Sequence, residues 1–131
     1  MRFICLFALF LIIGCTSQTD YAGKKYPKKF ILHAADDVLE SLNGNTFTAN
    51  VRGIHPVFGN AIRIKVRGLS ANSITDLDTE KATVAFRQWH RFTALIKEAE
   101  VIELRDLERG KKGFWVWADV YIDGVLLKDA D

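Results

Sequence analysis

The segment IRIKVRGLSANS, residues 62–73, contains the pattern that decides the fold of this chain of 131 residues. Its first five residues alternate isoleucine or valine with arginine or lysine, which is typical of a strand with one buried and one solvated face. The solvated face is cationic, and the strand runs through Arg67-Gly68-Leu69 into the small polar turn 70–73. Acids at the end of such a strand are suitable metal ligands, but this turn contains none. The segment therefore predicts a half-buried basic strand that ends in a neutral turn.

The period changes along residues 78–98, where apolar residues recur at spacings of three and four. This spacing is typical of an amphipathic helix that packs one face on a sheet. Asp78 and Thr79 suit the start of such a helix, and Glu80 lies in its first turn, where an acid favours the helix dipole. The side chains predicted to face the sheet are Ala82, Ala85, Phe86, Trp89, Phe92, Thr93 and Ile96.

Four further segments have the alternation or the β-branched and aromatic content of strands. Asn43-Gly44 separates the first two and predicts a hairpin with a type I′ turn, and Asp123-Gly124 predicts a second tight turn after the last strand. Loops are expected at residues 53–59, which contain Pro56, and at the basic segment 108–113. The complete set of predicted strands is residues 37–42, 46–51, 61–69, 101–107 and 114–122.

The predicted elements follow the order strand, strand, strand, helix, strand, strand. Five strands with one helix between the third and the fourth are the arrangement of the OB-fold, a partly open barrel. We therefore expect a mainly β protein with some α-helix, built as a five-stranded OB-fold barrel. The globular domain is expected at residues 30–131, because the polar, lysine-rich segment before it has the composition of a linker.

The N-terminal segment predicts export and lipid attachment. Residues 1–14 begin with a positive charge at Arg2 and continue as an apolar run that is too short to span a bilayer but suits a signal peptide. The run ends in LIIGC, residues 11–15, which is similar to a bacterial lipoprotein box, so cleavage before Cys15 and lipidation of its thiol are expected. Residues 15–29 then form the anchor site and a tether. The residue after the cysteine is not aspartate, which favours the outer membrane by the same resemblance. The alternative is an ordinary secretory signal that contains a cysteine by chance.

Composition narrows the range of functions. The formal net charge is +2, and removal of Arg2 with the signal peptide leaves +1, which is not the global signature of a nucleic-acid-binding protein. The two cysteines, Cys5 and Cys15, leave no disulfide in the mature domain. The three histidines show no zinc-binding spacing, and the chain has no Gly-rich phosphate loop or serine-nucleophile motif.

Three segments, together with the helix that follows the second of them at the expected distance, resemble the staphylococcal nuclease-like family, the bacterial thermonucleases. NGNTFTANV, residues 43–51, is similar to the family's DGDTF hairpin, and IRIKVRGLSANSI, residues 62–74, is similar to its VRIRGIDTPEI segment. VIELRDLERGKKGFWVWADVYIDGVLL, residues 101–127, is similar to the family's V-L-x-N-x-x-R-G-K-Y-x-R-x-x-A-D-V-x-V-D-G run. The resemblance covers residues 38 to about 128. It implies an OB-fold, Ca²⁺-dependent phosphodiester hydrolysis, and activity on DNA and RNA.

The resemblance places the charged positions of the family's site on residues that are mostly neutral here. Its metal-binding positions fall on Asn45, Ser70 and Ala71, and the first two replace acids. Neutral oxygens hold Ca²⁺ more weakly than carboxylates do. Its two phosphate-binding arginines fall on Lys65 and Trp115, and its general base falls on Ser73. Lysine keeps the charge without the planar fork of arginine, and tryptophan offers a single N–H donor.

These substitutions predict a non-catalytic, nuclease-like module on a lipid anchor. No cofactor is expected, and Ca²⁺ would be needed only by an active enzyme. The expected partners are the membrane at Cys15 and a single-stranded nucleic acid, with another protein or a surface polymer as further candidates. Alternation puts Trp115 and Trp117 on one face of the last strand, where tryptophans can stack bases. The expected binding residues are Lys65, Arg67, Arg109, Lys111, Lys112 and Trp115.

Two alternatives stay open. The first is an active Ca²⁺-dependent endonuclease in which Asp76, Asp78 and Glu80 replace the lost ligands, although a helix start alone explains three acids there. The second is the product of a decaying gene, because the family's C-terminal helix is absent or truncated in a chain that ends at Asp131. The apolar burial lost with such a helix is worth about 25 cal/mol per Å².

Overall fold

The computed structural model describes residues 28–130. Its strands form one sheet in the order β1-β5-β6-β4-β3-β2, and a short additional strand, β7, pairs with β6. The strands are β1 (Lys29–His33), β2 (Val38–Asn43), β3 (Thr46–Ala49), β4 (Ile62–Val66), β5 (Val101–Arg109), β6 (Trp115–Ile122) and β7 (Val125–Leu126). The helices are α1 (Ala34–Asp37), α2 (Pro56–Gly59) and α3 (Thr79–Glu98).

The sheet must curl, because the short helix α1 directly connects β1 and β2, the strands at its two ends. β1 pairs with β5 at one end of the strand order, and β2 pairs with β3 at the other end. A flat sheet of six strands would hold its outer strands roughly 24 Å apart, whereas a four-residue helix such as α1 spans roughly 6 Å. The protein is therefore mainly β, and its sheet is curled into a barrel-like form.

The inner face of the curled sheet carries the core. Ile64 and Val66 of β4 are fully buried, as is Phe47 of β3. Phe92 of α3 is buried against this face, and its ring lies 6.1 Å from that of Phe47. The residues of β4 that alternate with the buried ones stay on the outer face, so the predicted half-buried basic strand is confirmed.

All five predicted strands are present, as β2 to β6, but the predicted number of strands is wrong. The sheet also contains β1 and β7. β1 gives little sequence signal, since only Leu32 is fully buried and the strand follows a run of lysines. Lys29 is its first residue, one position before the predicted start of the domain. β5 extends to Arg109, so the predicted loop 108–113 is shorter than expected.

The two predicted tight turns have different outcomes. Asp123 and Gly124 have φ angles of 48° and 87°, as a type I′ turn between β6 and β7 requires. The hairpin between β2 and β3 is also present, but its turn is not type I′, because neither Asn43 nor Gly44 has a positive φ. Asn43 belongs to β2, and its side-chain oxygen instead accepts a hydrogen bond from the backbone N–H of Asn45 at 2.9 Å.

The predicted amphipathic helix is confirmed as α3, with Asp78 as its N-cap. Three of the predicted sheet-facing residues, Ala85, Phe92 and Ile96, are buried. Phe86 is 49% exposed, so its predicted core position is wrong. Its ring instead packs on the helix surface against Trp89 and His90.

The described chain after β6 forms only β7 and an irregular segment to Ala130, without a helix. Among residues 28–130, no helix has the length and apolar character needed to cross a bilayer. The predicted signal peptide, Cys15 and nearly all of the tether lie outside the described residues.

Candidate functional site

A lysine and two tryptophans lie together on the outer face of the sheet. β4 pairs in parallel with β6, which puts Lys65 beside Trp117 and Arg63 beside Trp115. The Lys65 ammonium lies 4.3 Å from the ring centroid of Trp115 and 5.6 Å from that of Trp117. The two indole rings meet edge to face with centroids 5.1 Å apart. The structure thus brings together the predicted site residues Lys65 and Trp115 as a cation–π pair.

The Trp115 ring is fixed by the hairpin between β5 and β6. Its Nε1 donates a hydrogen bond of 2.6 Å to the backbone oxygen of Lys112. The backbone of Gly110 lies directly against the ring, and Lys65 covers it as well. Trp115 is consequently a half-buried packing element, and little of its surface is left for a stacked base. The aromatic side chain that the hairpin exposes is Phe114, at 73%.

Replacing Gly110 with alanine should displace this ring. An added Cβ would lie 2.2 Å from Cε2 of Trp115, so the indole must move away from Lys65. We expect a loss of about 1–3 kcal/mol in the free energy of unfolding, measured by urea titration. In a Trp115→Ala background the same glycine replacement should cost clearly less, since the clashing ring is gone. An equal cost in both backgrounds would contradict this packing.

Several cations surround the pair, and the described part of the chain gives them no acidic partner. Arg63, Lys111 and Lys112 are exposed. Within residues 28–130, neither they nor Lys65 and Arg109 form an ion pair, and the Arg109 guanidinium instead lies 5.5 Å from the Phe114 ring. We call Arg63, Lys65, Lys111 and Lys112 the basic face. Its charge is available to an external anion.

Arg67 is paired with acids of the protein itself and is therefore not part of the basic face. Its guanidinium forms an ion pair of 2.8 Å with Asp119 and a second of 3.7 Å with Glu108. It also donates a hydrogen bond to the backbone oxygen of Asp106. Arg67 therefore joins β4 to β5 and β6, and the prediction that it binds a ligand finds no support in this geometry.

A second group of neutralised charges lies nearer the start of β5. Arg105 donates to Glu103 at 2.7 Å, and this hydrogen bond holds the pKa of the Glu103 carboxyl below its usual value. The same bond raises the pKa of Arg105. The Arg105 guanidinium also lies 4.2 Å from the Tyr121 ring. These residues balance one another and add nothing to the basic face.

Asn45, one of the positions that the resemblance assigns to a metal, contacts the residue before Ser70 and Ala71, the other two positions. The Asn45 side chain donates a hydrogen bond of 2.9 Å to the backbone oxygen of Leu69, which links the first hairpin to the turn after β4. Its Oδ1 accepts a hydrogen bond from the Thr46 hydroxyl at 2.9 Å. An aspartate at position 45 could not donate to Leu69, because it has no N–H group. The amide therefore makes a neutral link between two elements where the family would have an acid.

The turn after β4 is fixed by an acid that sequence reasoning missed. Asp129 accepts a hydrogen bond of 2.9 Å from the backbone N–H of Ser70 and donates its own N–H to Gly68 at 2.9 Å. Only the tertiary fold brings Asp129 to this turn, since 59 residues separate it from Ser70. Ser73 is exposed, and its hydroxyl is engaged locally with Thr75.

The three acids considered as replacement ligands serve the start of α3. Asp78 Oδ1 accepts hydrogen bonds from the backbone N–H groups of Glu80 and Lys81 at 3.0 and 3.5 Å. Asp76 Oδ1 accepts from the N–H of Asp78 at 3.0 Å. In the described part of the chain, no three His, Cys, Asp or Glu residues are grouped as metal ligands. The arrangement of Asp76, Asp78 and Glu80 is that of a capped helix.

The chain matches no protein-family model and none of the curated proteins with which it was compared. Functional assignment therefore depends on the geometry of its own residues.

Proposed function

We propose that this protein is a non-catalytic, staphylococcal nuclease-like OB-fold module that binds single-stranded nucleic acid through its phosphates. The basic face is the binding surface in this proposal. A lipid on Cys15 would anchor the module to a bacterial membrane, with the outer membrane as the favoured location. Ca²⁺ has no role in this function.

The strand arrangement supports an OB-fold. β2, β3 and β4 form an antiparallel meander, α3 follows it, and β5 and β6 complete the sheet. β4 and β6 are parallel, and β1 and β2 are joined by the short α1 at the two ends of the strand order. If β1 and β2 are taken as one bent strand and the two-residue β7 is set aside, five strands remain, with α3 between the third and the fourth, as in an OB-fold.

The hydrogen bonds around the assigned metal positions support a module without hydrolytic activity. Ca²⁺ is bound by six to eight oxygens, usually with several carboxylates. Asn45 has both side-chain groups engaged within the protein. The backbone N–H of Ser70 takes up one oxygen of Asp129, the acid bonded to this turn. One acid and two neutral side chains form a poor calcium site.

The unpaired charge of the basic face is the observation on which the binding proposal rests. Its four cations belong to β4 and to the adjacent hairpin, and none has an acidic partner within residues 28–130. Phosphates are the natural partners of such a face, because each contact releases a condensed counterion. Phe114, exposed beside it, offers a ring for a single base.

The lysines of the hairpin provide the test. Fluorescence anisotropy of a labelled oligothymidylate should show binding that weakens steeply with salt. For the K111A/K112A variant we expect weaker binding and a salt slope that is smaller by about 1.4, since each phosphate contact to a single strand contributes roughly 0.7.

A charge-matched control separates local from global electrostatics. The K81A/K97A variant also loses two exposed lysines, but on α3, and it should bind as the parent protein does. If both variants bound the oligonucleotide equally weakly, the effect would be explained by net charge alone, and the assignment of the basic face as the binding surface would be overturned. Cleavage of the oligonucleotide that requires Ca²⁺ and stops with EDTA would instead support the active nuclease.

A further inference from the structure

An apolar pocket of about 470 Å³ opens at one end of the curled sheet. Its walls are formed by the segment between β3 and β4, which contains α2, and by the hairpin between β5 and β6. Ile62 and Val116 pack against the core and line the inner part of the pocket. Val57, Phe58 and Phe114 also line it, and they are 68%, 57% and 73% exposed.

These exposed side chains form a continuous apolar lining with those at the back of the pocket. Scattered apolar residues on a surface need no explanation, but a concave cluster of large ones is typical of a ligand site. Ligand pockets usually have volumes of roughly 300–1,000 Å³ with few polar groups in the lining. This pocket lies in the lower part of that range, which suits a single alkyl chain better than a two-chain lipid.

Among residues 28–130, Arg109 is the one charged residue in the lining. Within residues 28–130 it has no carboxylate partner, and its guanidinium lies 5.5 Å from the Phe114 ring. A guanidinium presents a planar fork of donors that matches an acid group. The pocket thus combines an apolar interior with a single cation, which is the complement of a chain that ends in one negative charge.

We propose that this pocket binds a single-chain anionic amphiphile, with the alkyl chain against Ile62, Val116 and Phe58 and the acid group at Arg109. This inference goes beyond the proposed nucleic-acid binding and does not rest on it. Burial of the chain would cover the exposed rings of Phe58 and Phe114, which supplies the hydrophobic part of the affinity.

Calorimetry with decanoate, below its micelle concentration and in detergent-free buffer, tests the proposal. We expect saturable one-to-one binding with a negative heat-capacity change, the marker of apolar burial. Trp115 lines the pocket, so its fluorescence should change with the same saturation curve. Decanol has the same chain without the charge and should bind at least about tenfold more weakly.

Two exposed residues supply variants that should fold normally. Phe58→Gln should weaken decanoate binding about tenfold or more, because the ring forms part of the apolar lining. Arg109→Gln should remove the preference for decanoate over decanol. Phe86→Gln is the matched control, since Phe86 is a similarly exposed phenylalanine on α3 that does not line the pocket.

Distinct outcomes would overturn the proposal. The first is that the folded protein does not bind decanoate, and the second is that it binds decanol and decanoate with equal affinity. The third is that Phe58→Gln and Phe86→Gln lower the affinity for decanoate by the same factor. Binding to anionic phospholipid vesicles without any binding of free decanoate would point to membrane docking instead. The K111A/K112A variant should keep its decanoate affinity, so failure here and failure of nucleic-acid binding can be told apart.

Discussion

Replacing Phe92 with alanine should lower the free energy of unfolding by about 3–5 kcal/mol, the usual cost of truncating a buried phenylalanine. Phe92 is among the largest fully buried side chains, and it joins α3 to the sheet through its contact with the Phe47 ring. A small domain has only roughly 5–15 kcal/mol of stability in total. Urea unfolding followed by circular dichroism would measure a large shift of the midpoint.

Phe86→Ala is the matched control on the same helix. Phe86 is about half exposed, and among the aromatic rings of residues 28–130 it contacts Trp89 and His90 alone, so we expect a loss of less than about 1 kcal/mol. Equal losses from the two replacements would mean that α3 packs on the sheet through a different face.

Replacing Asp37 with alanine should cost about 2–4 kcal/mol, because a buried carboxylate that holds two elements would be removed. Its side chain is 2% exposed. One carboxylate oxygen accepts a hydrogen bond from the backbone N–H of His33 at 2.9 Å, and the other accepts one from Nε of Arg52 at 2.8 Å. The backbone oxygen of Asp37 also accepts the N–H of Asn50. Asp37 thereby fixes α1, the short connection that brings β1 and β2 together.

Asp36 provides the comparison for this prediction. It is the adjacent acid in α1 and is exposed, so Asp36→Ala should change the unfolding free energy by less than about 0.5 kcal/mol. Thermal or urea unfolding of both variants would measure this difference in unfolding free energy. A loss at position 37 no larger than at position 36 would show that the connection does not depend on the buried carboxylate.

The sequence predicted the elements whose periodicity spans several residues. β4 alternates over its whole length, and α3 repeats its apolar residues over five turns, so both were placed to within a few residues of their observed ends. Asp123-Gly124 predicted its turn correctly, since both residues tolerate a positive φ. Asn43-Gly44 carries a similar signal, but Asn43 pairs with Thr46 within the sheet and the turn shifts by one residue.

The candidate site was predictable only in part. The signs of the charges on β4 and in the hairpin, and the pairing of Trp115 with Trp117 on one face, follow from composition and alternation. Composition and alternation do not predict three other features of the site. These are the burial of the Trp115 ring against Gly110, the ion pairs of Arg67, and the hydrogen bond from Ser70 to Asp129. Each of these joins residues that are distant in the chain or depends on the shape of a loop, and no local pattern encodes such contacts.

Local periodicity is sufficient to predict a mainly β domain with one long amphipathic helix and a cationic strand, because it decides which face of each element is buried. No local pattern predicts that β1 and β2 approach each other through α1, which cations lack an acidic partner within residues 28–130, or where an apolar pocket opens. These features depend on strand order and on the meeting of loops. They arise when the sheet curls, since that step brings together side chains whose separation in the chain is large.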